Sequence, residues 1–240
     1  EAWNARAKAD AAYYVESTHS TDQDGVFALG EERAALFLDP VLARLANNGR
    51  DLHVLEIGCG LGRFSRALAR RLDHVTAIDV SDEMVAKAAV ANAGWENIQF
   101  RASDGENIPL VAGSVDFVFS YEVFQHMPSH GVIRTNFREV ARVLRRGGTA
   151  MIHLRTGGMR TRVLYRLANL IPTWAHATLK RMRGKPALTS DATWRGAPPL
   201  SRPQIVRMAA AAGLDLREFL PDPTHGPGTR VFALLTPARP

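Results

Sequence analysis

The chain has 240 residues, of which 46% are hydrophobic and 22% charged, with a formal net charge of +6. This size and composition predict an ordinary globular α/β protein, and no apolar run approaches the ~20 residues of a membrane-spanning helix. A single cysteine, Cys59, excludes an internal disulfide and a cysteine-rich metal site, and we expect a cytoplasmic protein without a signal peptide.

The positive charge is concentrated in one stretch of the chain. Residues 141–190 contain eleven Arg or Lys and no Asp or Glu, whereas the remainder has 19 basic and 24 acidic residues. Because 26 of the 30 basic residues are arginine, codon bias in a GC-rich genome explains the excess as well as a binding partner does. The charge alone therefore does not identify a partner.

Apolar and amphipathic segments alternate from residue 51 onward. Five short apolar runs predict strands, at 51–57, 74–80, 98–104, 114–124 and 149–154. Amphipathic stretches after the first, second and fourth of these, at 63–72, 81–94 and 130–148, predict helices. Ser81 is the N-cap of the second helix, and Gly147 lies just past the end of the third, which should reach Arg146. This alternation indicates βαβ units, and hence a doubly wound, three-layer parallel sheet with helices on both faces.

The last third of the chain has a different pattern. Residues 155–200 contain two basic amphipathic stretches and a loop rich in Pro, Gly and Thr. A helix is then predicted from Ser201 to Gly213, followed by the strands "DLREFL" and "TRVFALLTP". Because no helix separates these two strands, they should form an antiparallel pair.

The stretch "VLEIGCGLGRF" (54–64) places a glycine-rich turn between the first strand and the first helix of the core. In doubly wound folds such a turn binds a nucleotide-like ligand at the carboxyl ends of the strands. Arg63 stands where the third glycine of the dinucleotide fingerprint belongs, which argues against a pyrophosphate. The carboxylate of Glu56 instead favours a ligand that carries a cation.

Two aspartates follow the next two strands. Asp79 at the end of the second predicted strand could accept hydrogen bonds from ribose hydroxyls, and Asp104 at the end of the third could accept one from an adenine amino group. Turn formation is the alternative for any single aspartate at such a position. Their register with the glycine turn favours a nucleoside site.

At these residues the sequence resembles a known family. "VLEIGCGLGRFS", "VTAIDVS", "RASDGENIPLVAGSVDFVFS" and "ARVLRRGGTAMIH" are similar to the successive motifs of class I S-adenosylmethionine-dependent methyltransferases, in particular the methyltransferase-11 branch that acts on small molecules and lipids. The resemblance implies a Rossmann-like sheet of seven strands with the last one antiparallel, and S-adenosylmethionine as cofactor. It also implies a helical insertion after the fifth strand that binds the acceptor.

The resemblance also implies cofactor contacts. Gly58, Gly60 and Gly62 would line the methionine moiety, Asp79 would hold the ribose, and Asp104 with its neighbours would border the adenine. The helix "EAWNARAKADAAYYVES" would cover the cofactor, with Trp3, Tyr13 and Tyr14 as its anchoring aromatics. The full set of expected cofactor-binding residues is Glu56, Gly58, Cys59, Gly60, Gly62, Asp79, Val80, Ser103, Asp104, Gly105, Glu106, Tyr121 and Tyr14, although Cys59 also fits the position as a small packing residue.

Three histidines are candidates for acid–base chemistry. His126, in "SYEVFQHMP" after the fourth strand, is the predicted catalytic base, with capping or packing as the equal alternative. His153 is expected to be a buried structural residue and His225 to lie in a surface turn, although His225 could also reach the acceptor pocket. No cluster has metal-ligand spacing, so no metal is expected.

These observations predict four segments and one activity. The segments are a helical cap over the cofactor (1–50), the cofactor-binding core (51–154), a basic insertion acting as acceptor lid (155–200) and a C-terminal helix with a strand pair (201–240). The predicted activity is methyl transfer to a small-molecule, saccharide or lipid acceptor, foremost at a hydroxyl.

Several alternatives to this reading stay open. They are C- or N-methylation of a natural product, RNA methylation, a nucleotide-dependent oxidoreductase and a non-catalytic cofactor-binding module. The basic insertion could contact an anionic acceptor or an anionic membrane surface, or be an ordinary solvated face. Nucleic acid is disfavoured because no RNA-binding module is recognisable and "SYEVFQH" replaces the motif of amino-methylating enzymes.

Overall fold

The structure is a computed structural model, and it describes residues 3–5, 7–8, 11, 23–45, 51–168, 182, 196–225 and 228–238. Tyr13 and Tyr14 lie outside the described residues, as does most of the predicted insertion between 169 and 195. In the described part, residues 3–5, 7–8 and 11 are helical, which agrees with a helical segment at the start of the chain. No helix in these ranges has the length and apolar character needed to cross a bilayer.

Seven strands and seven α-helices are described. The strands are β1 (His53–Ile57), β2 (His74–Asp79), β3 (Ile98–Ala102), β4 (Val115–Ser120), β5 (Leu144–Arg155), β6 (Leu214–Pro221) and β7 (Arg230–Pro237). The helices are α1 (Gln23–Arg33), α2 (Asp39–Leu42), α3 (Arg63–Ala69), α4 (Asp82–Ala91), α5 (His130–Val143), α6 (Met159–Ala168) and α7 (Arg202–Ala211). A π-helical turn (Ala34–Leu38) joins α1 to α2, and a 3₁₀ turn (Phe124–His126) follows β4.

All seven strands belong to one sheet in the order β3-β2-β1-β4-β5-β7-β6. The strands β1 to β5 pair in parallel, whereas β7 is antiparallel to both of its neighbours, β5 and β6. This confirms the predicted doubly wound sheet of seven strands with the last strand antiparallel. The carboxyl ends of β1, β2 and β4 consequently meet at one edge of the sheet, where the glycine turn begins.

Helices cover both faces of the sheet, so its central strands are buried. Every residue of β4 is buried, as expected for a central strand of a parallel sheet, whereas the edge strand β3 is only half-buried. One core cluster packs α5 and α7 against the sheet, and a second packs the π-helical turn and α3 against the opposite face. These two layers therefore enclose the central strands from both sides.

Side-chain caps fix the helix starts that the sequence indicated. Ser81 accepts a hydrogen bond from the Met84 N–H at the start of α4, and Ser201 forms a complete capping box with Gln204 at the start of α7. Both predicted helix starts are therefore confirmed. Each cap satisfies backbone donors that a helix leaves unpaired.

The boundaries between α5 and β5 and after β4 differ from the predictions. α5 ends at Val143 instead of continuing to Arg146, because Leu144 already pairs with Val115 of β4. Gly147 lies within β5, with φ of 83°, where the register shifts before regular pairing resumes. β4 ends at Ser120, four residues earlier than expected, and the chain then turns into the 3₁₀ segment.

Candidate active site

A cavity of about 670 Å³ opens at the carboxyl-end edge of the sheet. Its wall comes from the ends of β1, β2 and β4, the loop after β3, the start of α3 and the helical residue Trp3. Twelve of the predicted site residues line it: Glu56, Gly58, Cys59, Gly60, Asp79, Val80, Ser103, Asp104, Gly105, Glu106, Tyr121 and His126. The fold thus brings together residues that are up to 70 positions apart in the sequence.

The glycine turn lets the backbone form one wall of this cavity. Gly58 and Gly60 have φ of 78° and 53°, in the left-handed region that favours glycine. A Cβ on Gly58 would lie 2.1 Å from Cγ2 of Val123, which directly precedes the 3₁₀ turn after β4. The glycine at 58 is therefore required both by its φ and by the close approach of Val123.

Gly62, by contrast, faces away from the cavity. It has φ of 81° at the N-cap of α3, and a Cβ there would lie 2.7 Å from Nδ2 of Asn92 and 2.9 Å from Cζ of Phe100. The expected contact of Gly62 with the methionine moiety is corrected accordingly. Position 62 requires a glycine because the turn packs closely against Asn92 after α4 and against Phe100 of β3.

Glu56 is buried at the base of the cavity. The Ser65 hydroxyl donates a short hydrogen bond to its carboxylate, but burial dominates and raises the pKa of Glu56 to about 8. Without a ligand, this side chain is therefore mostly protonated at neutral pH. A cation placed in the cavity would favour its ionised form.

Asp79 connects β2 to the glycine turn. Its Oδ2 accepts a hydrogen bond from the Gly60 N–H at 2.9 Å, and its Oδ1 accepts one from the Ser81 N–H at 3.0 Å. Burial raises the pKa of Asp79, and these N–H donors oppose the shift. Each carboxylate oxygen has a second acceptor position, so the group can also accept two hydrogen bonds from a ribose diol.

Asp104 is exposed at the opening and organises its own turn. Its carboxylate accepts hydrogen bonds from the N–H of Glu106 at 2.8 Å and from the N–H and side-chain amide of Asn107, each at 2.6 Å. These donors, the Asn107 N–H first, lower the pKa of Asp104. The structure thus gives Asp104 the turn-forming role that the sequence left as an alternative, and its contact with adenine stays a prediction.

Several cavity residues were not among the predicted site residues, for different reasons. Arg63 is buried and lies with its guanidinium 5.1 Å from the ring centre of Phe64, although the sequence identified it only as a break in the fingerprint. Asn136 of α5 donates a hydrogen bond to the Gly105 carbonyl at 2.8 Å. Its position on a long amphipathic helix gave no signal in the sequence.

Tyr121 and His126 border the cavity after β4. The Tyr121 ring stacks on Phe37 with 5.2 Å between centroids, and burial raises the pKa of its hydroxyl to about 12, so it stays protonated. The His126 ring meets Trp3 edge to face at 5.6 Å, and its Nε2 lies 3.3 Å from the side-chain nitrogen of Gln125. His126 therefore stands where the N-terminal helical residues approach the cavity.

His153 of β5 and His225, which follows β6, are brought together with Asp222. His153 is buried, as predicted, and its Nε2 lies 3.0 Å from Oδ2 of Asp222. His225 is not a plain surface residue, since its side chain is 28% exposed and its Nδ1 lies 2.5 Å from the same oxygen. The expectation that no metal-ligand cluster exists is corrected too, because these three side chains place ligand atoms within 4.8 Å of one another.

Comparison with known proteins agrees with this geometry. Residues 55–152 match a family model described as a methyltransferase domain. The malonyl-[acyl-carrier protein] O-methyltransferase of Alcanivorax borkumensis is 33% identical over 150 residues, which cover 60% of this chain and 46% of that protein. The ubiquinone biosynthesis O-methyltransferase of Xanthomonas campestris pv. campestris is 36% identical over 118 residues, which cover 48% of this chain and 47% of that protein.

A solved structure shares the fold over almost the whole chain. The magnesium protoporphyrin IX methyltransferase of Synechocystis, determined with bound SAH, aligns with a TM-score of 0.63 and 18% identity over 98% of this chain and 96% of that one. The chain spans less than half the length of the two relatives named above. Residues 55–152 thus match a methyltransferase domain, and the solved structure shows the same fold over nearly the whole chain.

Proposed function

We propose that this chain is a class I S-adenosylmethionine-dependent methyltransferase and that it transfers a methyl group to a hydroxyl of a small-molecule, saccharide or lipid acceptor. The observation that carries the proposal is the cavity in which the glycine turn, Asp79 and the Asp104 turn face one another. This arrangement fits a nucleoside with a cationic substituent. A bound S-adenosylmethionine would supply an electrophilic methyl group on a positively charged sulfur.

The cavity residues divide between the parts of that cofactor. Gly58 and Gly60 would lie under the methionine moiety, because neither residue has a side chain to keep the ligand away from the backbone. Asp79 would accept hydrogen bonds from the ribose hydroxyls while keeping its bonds to the glycine turn. The exposed side chain of Val80 and the buried side chain of Ile108 would flank the adenine, with Asp104, Gly105 and Glu106 at its edge.

The acceptor side of the cavity is the region of Trp3, Tyr121 and His126. Methyl transfer is an in-line displacement, so the protein contributes chiefly by positioning the two reactants. His126 is the proposed catalytic residue here, either as the base for the acceptor hydroxyl or as a hydrogen-bonding group that orients it. The names of the two relatives, both O-methyltransferases, support oxygen as the methylated atom.

The basic helix α6 is the proposed start of the acceptor lid. It leaves Met159, Leu164 and Leu167 exposed beside Arg160 and Arg162, so it presents apolar and cationic groups together. Such a surface suits an acceptor that carries an apolar chain and an anionic group. An anionic membrane surface would contact the same apolar and cationic side chains.

The test has a binding part and a transfer part. Isothermal titration with S-adenosylmethionine, its demethylated product and NAD should show binding of the first two only. Methyl-labelled cofactor and a metabolite and lipid extract should then give a labelled product. Binding of NAD alone, or cofactor binding with no labelled product from any extract, would contradict the proposed function.

Two substitutions of His126 separate its two roles. His126→Gln keeps a hydrogen-bonding side chain without a titratable group, whereas His126→Ala removes both. If His126 is the base, both variants should lose roughly 10²–10⁴-fold in turnover with cofactor affinity unchanged. If it orients the acceptor, only His126→Ala should lose that much, and His74→Gln, an exposed histidine on β2, serves as the control.

A further inference from the structure

The arginine that ends β5 has buried hydrogen-bond donors without an acceptor. Nε and Nη2 of Arg155 are both buried, and neither has a hydrogen-bond partner in the part of the chain that the structure describes. These two atoms form one edge of the guanidinium, along which the N–H groups point in parallel. An arginine uses such an edge to bind two oxygens of a carboxylate or a phosphate. Because unsatisfied buried donors are costly, this edge indicates a site for such a group.

The register of the sheet adds a second reason to expect an anion there. Arg155 lies directly opposite Arg230 in the antiparallel pair of β5 and β7. Like charges at directly opposite positions destabilise a sheet. Arg230 forms an ion pair with Glu122, which lines the cavity, whereas Arg155 has no carboxylate partner among the described residues. One of the two facing cations is therefore left without a counter-charge.

A further arginine comes from α6. Arg162 and Tyr165 are three residues apart on one face of this helix, and both are half-buried, whereas the side chains of α6 that face elsewhere are exposed where they are described. The ring centre of Tyr165 lies 4.7 Å from Cζ of Arg155, so this face of α6 packs against the end of β5. Nε of Arg162 is also buried without a hydrogen-bond partner in the described ranges. We call Arg155, Arg162 and Tyr165 the arginine seam.

The arginine seam lies outside the cavity but close to His126. The Tyr165 hydroxyl donates a hydrogen bond of 2.6 Å to the carbonyl of Gly196. Gly196 packs so closely on Gln125 that a Cβ there would lie 1.9 Å from the Gln125 carbonyl oxygen. Gln125 is adjacent to His126, which lines the cavity. A ligand longer than the cavity can therefore extend from His126 towards the seam.

Gln125 also has an unsatisfied group. Its Nε2 lies 3.3 Å from Nε2 of His126, and its Oε1 is buried without a hydrogen-bond partner among the described residues. A ligand in this region should therefore carry a donor, such as a hydroxyl, as well as a negative charge.

We propose that the arginine seam binds an oxyanion, a carboxylate or phosphate group carried by the methyl acceptor, on the Nε–Nη2 edge of Arg155 with Arg162 as the second cation. Assigning the oxyanion to the acceptor rests on the proposed function, whereas the oxyanion site itself does not. Because the donors are buried, a free acceptor molecule can bring its anionic group to them and the flat surface of a bilayer cannot. The seam would thus select acceptors by their charge.

Nitrogen-15 NMR of arginine-labelled protein tests the site without any acceptor. Sodium acetate and inorganic phosphate are added separately, with sodium chloride keeping the ionic strength constant. The Nε–H signals of Arg155 and Arg162, assigned with Arg155→Lys and Arg162→Lys, should shift and saturate with at least one oxyanion, and the signal of Arg138, exposed on α5, should not. Saturation by acetate alone or by phosphate alone identifies the preferred group. Shifts no larger than that of Arg138 with both oxyanions would overturn the proposal.

The stability of Arg155→Met distinguishes a binding arginine from a structural one. Methionine keeps a long apolar side chain and removes the unsatisfied donors, so in chloride buffer it should raise the melting temperature by about 2–4 °C. It should also remove the oxyanion-dependent shift of Arg162. Arg138→Met is the matched control and should change neither quantity. A lower melting temperature for Arg155→Met would show that the cation stabilises the fold by itself, against the proposal.

The labelled product from the extract shows whether the oxyanion belongs to the acceptor. It should be retained on an anion-exchange resin at pH 8, and Arg155→Met should form it at a rate lower by about tenfold or more, with cofactor affinity unchanged. A neutral product would refute the assignment to the acceptor and leave the proposed function intact. Absence of transfer by the wild type would refute the proposed function, while the arginine signals would still decide whether the seam binds an oxyanion.

Discussion

Replacing Glu56 with glutamine should change how stability depends on pH. The side chain is 3% exposed, and its folded-state pKa of about 8 lies well above the ordinary value of 4.5. A carboxyl whose pKa is raised on folding stabilises the folded state fully below pH 4.5, and this stabilisation is lost as the pH rises through 8. Glutamine has nearly the same shape, can still accept the Ser65 hydrogen bond and has no proton to lose.

The size of the effect follows from the two pKa values. One pKa unit corresponds to about 1.4 kcal/mol, so the wild type should lose about 5 kcal/mol of unfolding free energy across this window, of which about 3 kcal/mol is lost by pH 7. This is a substantial part of the 5–15 kcal/mol that stabilises a typical domain. The glutamine variant should therefore be more stable relative to the wild type at pH 8 than at pH 5.

Urea unfolding followed by circular dichroism from pH 5 to 9 measures this difference. Other titrating groups, including the buried His153, are common to both proteins and cancel in the comparison. Glu96→Gln, at an exposed position, is the control and should leave the pH dependence as in the wild type. If the curves of wild type and Glu56→Gln stay parallel over the whole range, the account of Glu56 as a buried, protonated side chain is refuted.

Three further predictions concern the cofactor and acceptor sides of the site. Asp79→Ala should weaken S-adenosylmethionine binding by about 2–3 kcal/mol in titration calorimetry, and an unchanged dissociation constant in a folded variant would remove the ribose assignment. Gly58→Ala should lower the melting temperature and abolish cofactor binding because its Cβ would lie 2.1 Å from Val123, whereas Gly94→Ala, with nothing within 4 Å, should leave both unchanged. Reversing Arg160 and Arg162 to Glu should raise the KM for an anionic acceptor, less so at high salt, with cofactor affinity unchanged; equal KM values at every salt concentration would make α6 an ordinary solvated helix.

The sequence predicted most of the fold because the relevant signals are local. Ser81 and Ser201 indicate helix starts because each caps its helix through a residue three positions further along the chain. The glycine turn is indicated because its backbone conformations are ones that few other residues adopt. The boundary between α5 and β5 was missed because pairing of Leu144 with β4 overrides the helical pattern that continues through Arg145 and Arg146. The local sequence pattern of a segment does not show that a strand elsewhere in the chain pairs with it.

Most residues that line the cavity were predictable from the sequence, whereas the group of His153, Asp222 and His225 was not. The residues predicted to bind the cofactor fall in one run of motifs, so their order along the chain indicates their position in space. His153 and Asp222 are 69 residues apart, and nothing near either one indicates the other. Their meeting depends on the antiparallel register in which His153 faces Phe232, which only the assembled sheet defines.

The position of β7 has a consequence for folding. Because β7 lies between β5 and β6, β5 has an unpaired edge until residues from 230 onward insert beside it, a contact that joins residues up to 85 apart in sequence. Pairings over such distances form late, and open edges of buried strands promote aggregation in the meantime. During refolding at high protein concentration, chains should consequently aggregate through the open edge of β5 before β7 has paired with it. Arg230 pairs with Glu122, which lines the cavity, so this part of the cavity wall should be completed only with that same insertion.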